Sequence, residues 1–284
     1  MISLTQSRSI PDPAARGKGL LLAWALLGLY LFGALLASVF GLGDDWASGG
    51  DRAEHLAPGT AAWLGTDQLG RDLAAMTLQG CWTAFMIGGF AAGGAIVLGA
   101  GLGLLSGWYH GWLDRFVLWL STAVSAIPGI VLILVIAAAM GPGLPALITA
   151  FIAVSWVGVY RIVRAETRRL REEEYVRTAL ACGARTRSIL SRHLLPQFLP
   201  LIAVQFGLAF VGAIQAEAVL SFLGLGAPDL ASWGRMIAEA WTWDDLGHGR
   251  WWRLSAASLA LAGLALSVQT LSQSGVRRRR TSTC

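Results

Sequence analysis

Long uncharged stretches of hydrophobic residues dominate the pattern along the chain. They cover residues 20–40, 81–109, 116–160, 197–216 and 254–276, and the third is divided by the sequence GPGLP at 141–145. About 20 apolar residues in an α-helix, rising ~1.5 Å per residue, cross the ~30 Å hydrocarbon core of a bilayer. The pattern therefore predicts an all-α, polytopic membrane protein with six transmembrane helices.

The first hydrophobic stretch could instead be a cleaved signal peptide, because basic residues precede it. The hydrophobic region of a signal peptide is usually about 7–15 residues long and is followed by a small-x-small cleavage site. The stretch at 20–40 is longer, and the sequence ASV at 37–39 fits such a site poorly. We therefore expect a retained first transmembrane helix that follows a cytoplasmic tail at 1–19.

The basic residues are concentrated in alternate connecting segments. The chain has 22 lysines and arginines and a net charge of +5. If the N-terminus is inside, 17 of the 22 fall in inner segments, nine of them between residues 161 and 192. Because inner loops of membrane proteins are enriched in Lys and Arg, we predict that both termini are cytoplasmic (N-in/C-in). A basic tail at 277–284 and the segment 161–196 would then also lie inside, and segments 41–80 and 221–250 outside.

Residues that would perform chemistry are sparse. The single lysine, Lys18, lies between two glycines, so the P-loop pattern G-x4-G-K-[ST] of ATPases is absent from the sequence. The three cysteines are far apart, and the four histidines lack the i, i+4 spacing of a helical metal site. We predict no enzyme activity and no cofactor, metal or nucleic-acid partner. Any ATP hydrolysis would require a separate chain.

Two residues are candidates for a gate or a pathway wall. Pro128 interrupts the third span, where a proline removes a backbone hydrogen bond and kinks a helix. A purely structural kink is an equal alternative. Glu217 is an acid near the outer boundary of the fifth span. In the inner turn GWLD, at 111–114, the neighbouring Asp114 and Arg115 are expected to form a local ion pair.

The arginine-rich segment between the fourth and fifth spans has helical periodicity. Between Arg161 and Leu180 there is no glycine or proline, so the fourth helix is expected to continue into this segment. Val176, Ala179, Leu180 and Gly183 lie three to four residues apart and would form one small apolar face.

A second short helix is expected after this face. Gly183 can provide a left-handed helix stop, Thr186 can cap the second helix, and Pro196 would end it. Two short amphipathic helices displayed in water need another protein surface. The alternative is a basic anchor that lies on anionic lipid.

The spacing in this segment resembles the EAA loop of binding-protein-dependent ABC importer permeases. That pattern is E-A-A-x3-G-x9-I-x-L-P. The sequence EYVRTALACGARTRSILSRHLLP, at 174–196, places its triplet at 177–179, its glycine at 183 and its Leu-Pro at the end. Arg177 replaces the usual acid, and Thr178 replaces the first alanine. The resemblance implies an ATPase-coupling loop that contains Glu174, Tyr175, Arg177, Thr178, Ala179, Gly183, Ala184, Ile189, His193, Leu195 and Pro196.

Two other stretches resemble the peptide and nickel importer branch of that family, in its second-permease (dipeptide and oligopeptide) form. They are LGTDQLGRDLAAMTLQG at 64–80 and SFLGLGAPDLASWG at 221–234. With GWLD, the resemblance covers about residues 64–240 in the expected order. The C-terminal sequence SQSGVRRRR departs from the usual tail of this branch.

The resemblance implies a type I ABC importer transmembrane fold with a permease core at 81–276, in the inner membrane of a bacterium. It also implies a homologous second permease, two ATPase subunits and a periplasmic solute-binding protein as partners. Di- or oligopeptides are the solutes that it favours, with nickel chelates, glutathione or opine-like compounds as alternatives. A hypothesis from another class is a secondary carrier or channel that does not use ATP.

Overall fold

The computed structural model describes residues 13–41, 50–190 and 194–281. Within these ranges the chain is helical, apart from turns, irregular connections and one isolated β-bridge between Thr66 and Asp72. The helices are α1 (Pro13–Phe40), α2 (Leu73–Trp108), α3 (Trp112–Ser125), α4 (Gly129–Met140), α5 (Leu144–Arg171), α6 (Glu174–Ala181), α7 (Thr186–Ile189), α8 (Leu195–Phe222), α9 (Trp233–Thr242) and α10 (Trp252–Thr281).

Five helices of the described chain, α1, α2, α5, α8 and α10, are long and apolar enough to cross a membrane. A sixth span results if the pair α3 and α4 is counted as one, although the pair is bent by 91°. In α3, Asp114 pairs with Arg164 and Arg168 of the C-terminal half of α5, and Val117 packs with Trp156 and Tyr160 near its middle. In α4, Ile133 packs in another cluster with Leu147 of the N-terminal half. The pair therefore follows α5 from one end to the other.

The interruption at Pro128 is a full break between two helices and larger than a kink. Pro128 has an extended backbone (φ −54°, ψ 125°), and its carbonyl accepts hydrogen bonds from Val131 N–H (3.0 Å) and Leu132 N–H (3.2 Å). Proline lacks an N–H and favours an extended residue before it, so α3 stops at Ser125. The Arg161 guanidinium donates to the Ser125 hydroxyl (3.0 Å) and thereby stabilises the end of α3.

Helix α2 is the central element, and glycines at four-residue spacing bring it close to α5. A Cβ atom at Gly99 would lie 2.6 Å from the carbonyl oxygen of Trp156, and one at Gly107 would lie 2.7 Å from Cβ of Thr167. Contacts this short cannot accommodate a side chain. The two helices therefore pack backbone against backbone along their length.

Helix α2 begins eight residues before residue 81, where the stretch that predicted the span begins. The Asp72 carboxylate accepts the N–H of Ala74 (2.8 Å) and caps the helix, which begins at Leu73. The extra two turns pack inside the protein, where Trp233 Nε1 donates to the carbonyl of Thr77 (3.0 Å). In these turns Leu73, Met76 and Gln79 are buried by other parts of the protein.

The helices alternate in direction, so the bundle has two distinct ends. We call the end that contains α6 and α7 the loop end, and the end that contains residues 50–72 and α9 the α9 end. Tyr30 Oη of α1 donates to the carbonyl of Ala260 in α10 (2.9 Å), and a Cβ at Gly207 of α8 would touch Ser272 of α10. These contacts place residues 13 and 281 at the loop end.

Candidate coupling loop and ion clusters

The candidate coupling loop consists of two short helices between α5 and α8. As expected, α5 continues beyond Arg161 into this segment, but it ends at Arg171, and a short turn separates it from α6, which begins at Glu174. Glu172 and Glu173 form the turn, in which the Glu172 N–H donates to the carbonyl of Arg169 (3.1 Å). Two adjacent glutamates carry like charges, and the side chains of both are exposed to solvent.

Gly183 ends α6 in the left-handed conformation. Its φ angle is +82°, and its N–H donates to the carbonyl of Leu180 (3.0 Å). The next N–H, of Ala184, donates to the carbonyl of Ala179 (3.0 Å). This is the backbone pattern of a glycine C-cap, so the glycine at this spacing sets the angle between α6 and α7.

One face of the loop is anchored in the bundle. Val176 of α6 and Ile189 of α7 are buried in a cluster with Leu194 and Phe198, which lie at the start of α8. Ala179 is partly buried against the same cluster. The apolar face therefore attaches the loop to its own bundle. The predicted grouping of Leu180 with this face is wrong, because the side chain of Leu180 is 39% exposed.

The opposite face of the loop is open to solvent. The exposed members of the predicted site are Glu174, Tyr175, Arg177, Thr178, Gly183 and Ala184. Tyr175 is held in place by Gln197, whose Nε2 donates to the tyrosine hydroxyl (3.2 Å). A mixed surface of aromatic, cationic and small residues is thus presented away from the membrane-spanning helices.

The last three predicted loop residues lie at its C-terminal boundary. His193 lies outside the described residues. Leu195 and Pro196 are exposed and occupy the first turn of α8. The expectation that Pro196 ends a short helix is therefore wrong. Proline is tolerated in the first turn because the N–H that it lacks would have no partner there.

A buried ion cluster beside the loop joins α3 to α5. Asp114 accepts hydrogen bonds from Arg164 Nε (2.5 Å) and Nη2 (2.9 Å), and from Arg168 Nη2 (2.5 Å). The Ser106 hydroxyl of α2 adds a fourth bond (3.0 Å). The predicted pair with Arg115 is wrong, since the carboxylate of Asp114 points to α5. The signal in the sequence was the i, i+4 spacing of Arg164 and Arg168, which puts both on one helix face.

One turn further along α5, Arg171 contacts the connection between α2 and α3. Its guanidinium is hydrogen-bonded to His110 and lies over the ring of Trp108, 5.6 Å from the ring centre. Trp108 belongs to the same apolar cluster as Val176. The C-terminal end of α5, the turn after α2 and the anchored face of the loop are therefore in direct contact.

Glu217 lies inside the bundle near the α9 end. Its carboxylate is buried and accepts a hydrogen bond from the Ser221 hydroxyl, one turn later on α8 (2.6 Å). Pro128 lies at the exposed break between α3 and α4. The two predicted gate residues share neither a hydrogen bond nor an apolar cluster in the described structure.

The α9 end carries a second, larger ion cluster that the sequence did not reveal. The Asp67 carboxylate accepts the N–H groups of Leu69 and Arg71 (both 2.9 Å) and pairs with Arg71 Nε (2.5 Å). Arg71 Nη2 pairs in turn with Glu239 of α9 (2.8 Å). The stretch at 64–80 is thus a folded turn that ties the start of α2 to α9.

The same cluster continues to α10. Arg253 is 1% exposed and pairs with Asp245 (2.9 Å) and Glu239 (3.5 Å). Arg250 pairs with the other oxygen of Asp245 (3.1 Å). A signal for this cluster existed, since these arginines lie in segments predicted to be outside, where the positive-inside rule does not account for them.

Comparison with known proteins identifies the family. A protein-family model described as "Binding-protein-dependent transport system inner membrane component" matches residues 99–281, which include α3 to α10 and the candidate coupling loop. The chain belongs to this family. The predicted family and the type I importer permease fold are confirmed. The prediction that the chain is a transmembrane component of a transport system, and not an enzyme, is also confirmed.

Individual relatives are peptide permeases. The chain is 38% identical over 184 residues to a glutathione transport system permease protein of Pectobacterium atrosepticum, covering 64% of this chain and 61% of the relative. It is 34% identical over 226 residues to a dipeptide transport system permease protein of Alkalihalophilus pseudofirmus, covering 78% and 72%. An oligopeptide transport system permease protein of Bacillus subtilis is 34% identical over 183 residues, covering 64% and 60%.

Proposed function

We propose that this chain is one of two permease subunits of an ATP-driven importer in a bacterial inner membrane, and that short peptides cross between the subunits. The observation that carries the proposal is the two-faced loop at 172–190, whose inner face is buried against the bundle and whose outer face is exposed. Family membership supports a transport role, and the missing P-loop assigns ATP hydrolysis to partner chains.

The contacts around the loop suggest how a partner ATPase moves the bundle. An ATPase that docks on Tyr175, Arg177 and Leu180 would push or release α6. The cluster around Val176 passes that displacement to the start of α8, and the turn at Glu172 passes it to α5. Packed elements with two arrangements convert a small local shift into a rigid-body motion. In this proposal the bundle alternates between inward-facing and outward-facing states.

The loop end is cytoplasmic in this proposal, and both termini lie on the same side. The bent pair α3 and α4 then counts as the sixth span, which gives the N-in/C-in arrangement. The proposed segments of the chain are a cytoplasmic tail at 1–19, a first transmembrane helix at 20–40, a periplasmic segment at 41–80, a permease core at 81–276 and a basic tail at 277–284. A periplasmic solute-binding protein, a homologous second permease and two ATPase subunits complete the proposed assembly.

Short peptides are the proposed solute class because the relatives are named for glutathione, dipeptides and oligopeptides. All three are peptide-like, so the same class covers them. Nickel chelates remain an alternative outcome of the transport assay.

Reconstitution tests the function. The chain, its neighbouring permease, ATPases and binding protein are assembled in liposomes, and uptake of labelled dipeptide and glutathione is followed with ATP. We expect uptake that requires ATP, the ATPase and the binding protein together. Uptake driven by a proton gradient without ATPase would contradict the proposal and favour a secondary carrier. A complex that moves nickel chelates but no peptide would contradict the solute class only.

Cysteine accessibility tests the orientation. Cys182 is exposed at the loop end, and Trp243→Cys places an exposed thiol at the α9 end. In sealed right-side-out spheroplasts, a membrane-impermeant maleimide should label Trp243→Cys and not Cys182. The opposite result would reverse the proposed orientation.

A further inference from the structure

Four membrane-spanning helices leave an apolar cleft between them. The cleft has a volume of about 480 Å³ and is lined by α1, α2, α8 and α10. Its lining includes Trp24, Leu27, Phe85, Pro200 and Phe206. Ser272 is a polar member of the lining, but its hydroxyl already donates to the carbonyl of Val268 (2.8 Å).

The cleft opens to the side of the bundle. Trp24 at its rim is 59% exposed, and Phe206 is 39% exposed. A Cβ atom at Gly89, on the α2 wall, would meet no atom within 4 Å. The side chains that line the cleft are apolar apart from Ser272, so the cleft suits an apolar occupant.

Basic residues lie at the ends of the same helices. Lys18, on α1, precedes Trp24 by six residues, or about 9 Å along the helix axis. Arg277 to Arg280, on α10, begin five residues after Ser272, or about 7.5 Å further along. Both helix ends are at the loop end. An apolar slot inside the membrane, bordered by cations where these helices leave it, matches the two parts of an anionic phospholipid.

We propose that this cleft binds one acyl chain of an anionic phospholipid, whose phosphate is held by Lys18 at the end of the bundle where α10, with the arginine run of its sequence, also ends. The lipid fills the gap that α1 and α8 leave between α2 and α10, and so fixes α1 against the rest of the bundle. The site depends on neither the transported solute nor the coupling mechanism. It lies in whichever leaflet meets the loop end, which is the inner leaflet in the proposed orientation.

Native mass spectrometry of the complete transporter tests the site. The assembled complex is purified from nanodiscs with equal amounts of phosphatidylglycerol and phosphatidylcholine, and the lipids that remain bound are identified. We expect phosphatidylglycerol to be retained on the order of tenfold over phosphatidylcholine, since each basic residue near the headgroups favours anionic lipid. Equal retention of the two lipids would overturn the proposal.

Two variants separate the parts of the site. Gly89→Leu fills the cleft and should abolish retention of the tightly bound lipid, whereas Lys18→Gln should reduce the preference for phosphatidylglycerol by several-fold. Gly101→Leu is the matched control, because Gly101 is also on α2 and also has open space at its Cβ, but does not line the cleft. Unchanged retention in Gly89→Leu, or equal losses in the control, would overturn the assignment.

Ala203→Leu, on the α8 wall, repeats the cleft-filling test if Gly89→Leu does not assemble. A photoactivatable phosphatidylglycerol with its reactive group on the acyl chain should label the cleft walls in the complex. If a cysteine at Ala203 instead forms a cross-link with the second permease and takes up no lipid label, a protein helix occupies the cleft and the proposal fails.

Discussion

The α9 end of the bundle and the loop formed by α6 and α7 are held in different ways. At the α9 end, a network of paired charges that includes Asp67, Arg71, Glu239 and Arg253 links α2, α9 and α10. At the loop end, α6 and α7 are attached through a few buried apolar side chains, Val176 and Ile189 among them. The α9 end is cross-linked by directional bonds, and the loop is held by contacts that can slide.

This difference fits the work proposed for each end. Removing one partner from a buried ion pair leaves an uncompensated charge, so a charged network tolerates little displacement. Apolar contacts are not directional and tolerate repacking. We infer that the α9 end fixes the register of the spans, whereas α6 and α7 yield when a partner pushes on them.

The largest expected effect comes from breaking the α9-end network. Replacing Arg253 with methionine removes the cation that Asp245 and Glu239 share and leaves Asp245 with Arg250 and Glu239 with Arg71. Removal of one partner from a buried pair costs up to about 3–5 kcal/mol. We expect a strong drop in the thermal unfolding midpoint of the purified protein, measured by intrinsic tryptophan fluorescence. The exposed pair of Arg52 and Asp72 provides the control, and Arg52→Ala should cost at most about 1 kcal/mol.

A smaller effect is expected at the ion cluster beside the loop. Arg164→Ala removes two of the four hydrogen bonds to Asp114. It should cost about 2 kcal/mol, which is the value of a single hydrogen bond to a charged group, because Arg168 and Ser106 still bond to the carboxylate. The measurement is the unfolding midpoint together with ATPase activity stimulated by the binding protein. Arg115→Ala removes an exposed neighbour of Asp114. If Arg115→Ala lowers the unfolding midpoint and the ATPase activity as much as Arg164→Ala does, the cluster does not link α3 to α5.

At the bend of the loop, Gly183→Val should act on coupling more than on stability. A β-branched residue at φ +82° costs about 1–2 kcal/mol and re-aims α7. Peptide uptake per ATP hydrolysed should fall on the order of tenfold. Asparagine tolerates the left-handed conformation, so peptide uptake per ATP hydrolysed in Gly183→Asn should stay close to that of the parent protein. Full coupling in Gly183→Val would contradict a role of the bend at Gly183 in coupling.

The smallest expected effect is a pH dependence at the α9 end. Partial burial, and next the positive charge of Arg250, lower the pKa of His55. The unfolded chain therefore takes up a proton more readily than the folded one. Stability that is present above the ordinary pKa of about 6.5 is lost as the pH falls below it. The unfolding midpoint should fall slightly at mildly acidic pH in the parent protein and less in His55→Asn. An identical pH profile in both would rule out this contribution.

Much of this architecture was predictable from the sequence. Charge-free runs of helical length give the spans, and the glycine at 183 gives the bend, because only local rules are involved. The break at Pro128 was underestimated. A proline predicts a lost hydrogen bond, but the angle depends on Arg161, which stabilises the end of α3 from another helix.

The ion clusters could not be predicted because they join residues that are distant in the chain. Arg71 and Glu239 are 168 residues apart, and Arg164 and Asp114 are 50 apart. Asp114 has a neighbouring arginine in the sequence and pairs with other ones in the structure. The side of α6 that carries Leu180 was misassigned for a related reason. The sequence pattern of a small apolar face does not indicate whether that face packs on its own bundle or on a partner protein.

Protection of Cys182 is the most direct test of the central claim that the outer face of the loop docks on an ATPase. This cysteine is exposed at the end of α6, Cys81 is buried, and Cys284 can be replaced by serine. A maleimide should label Cys182 rapidly in the pair of permeases alone and at least tenfold more slowly once the ATPase subunits are bound, by burial at the interface. A labelling rate that the ATPase leaves unchanged would contradict the account.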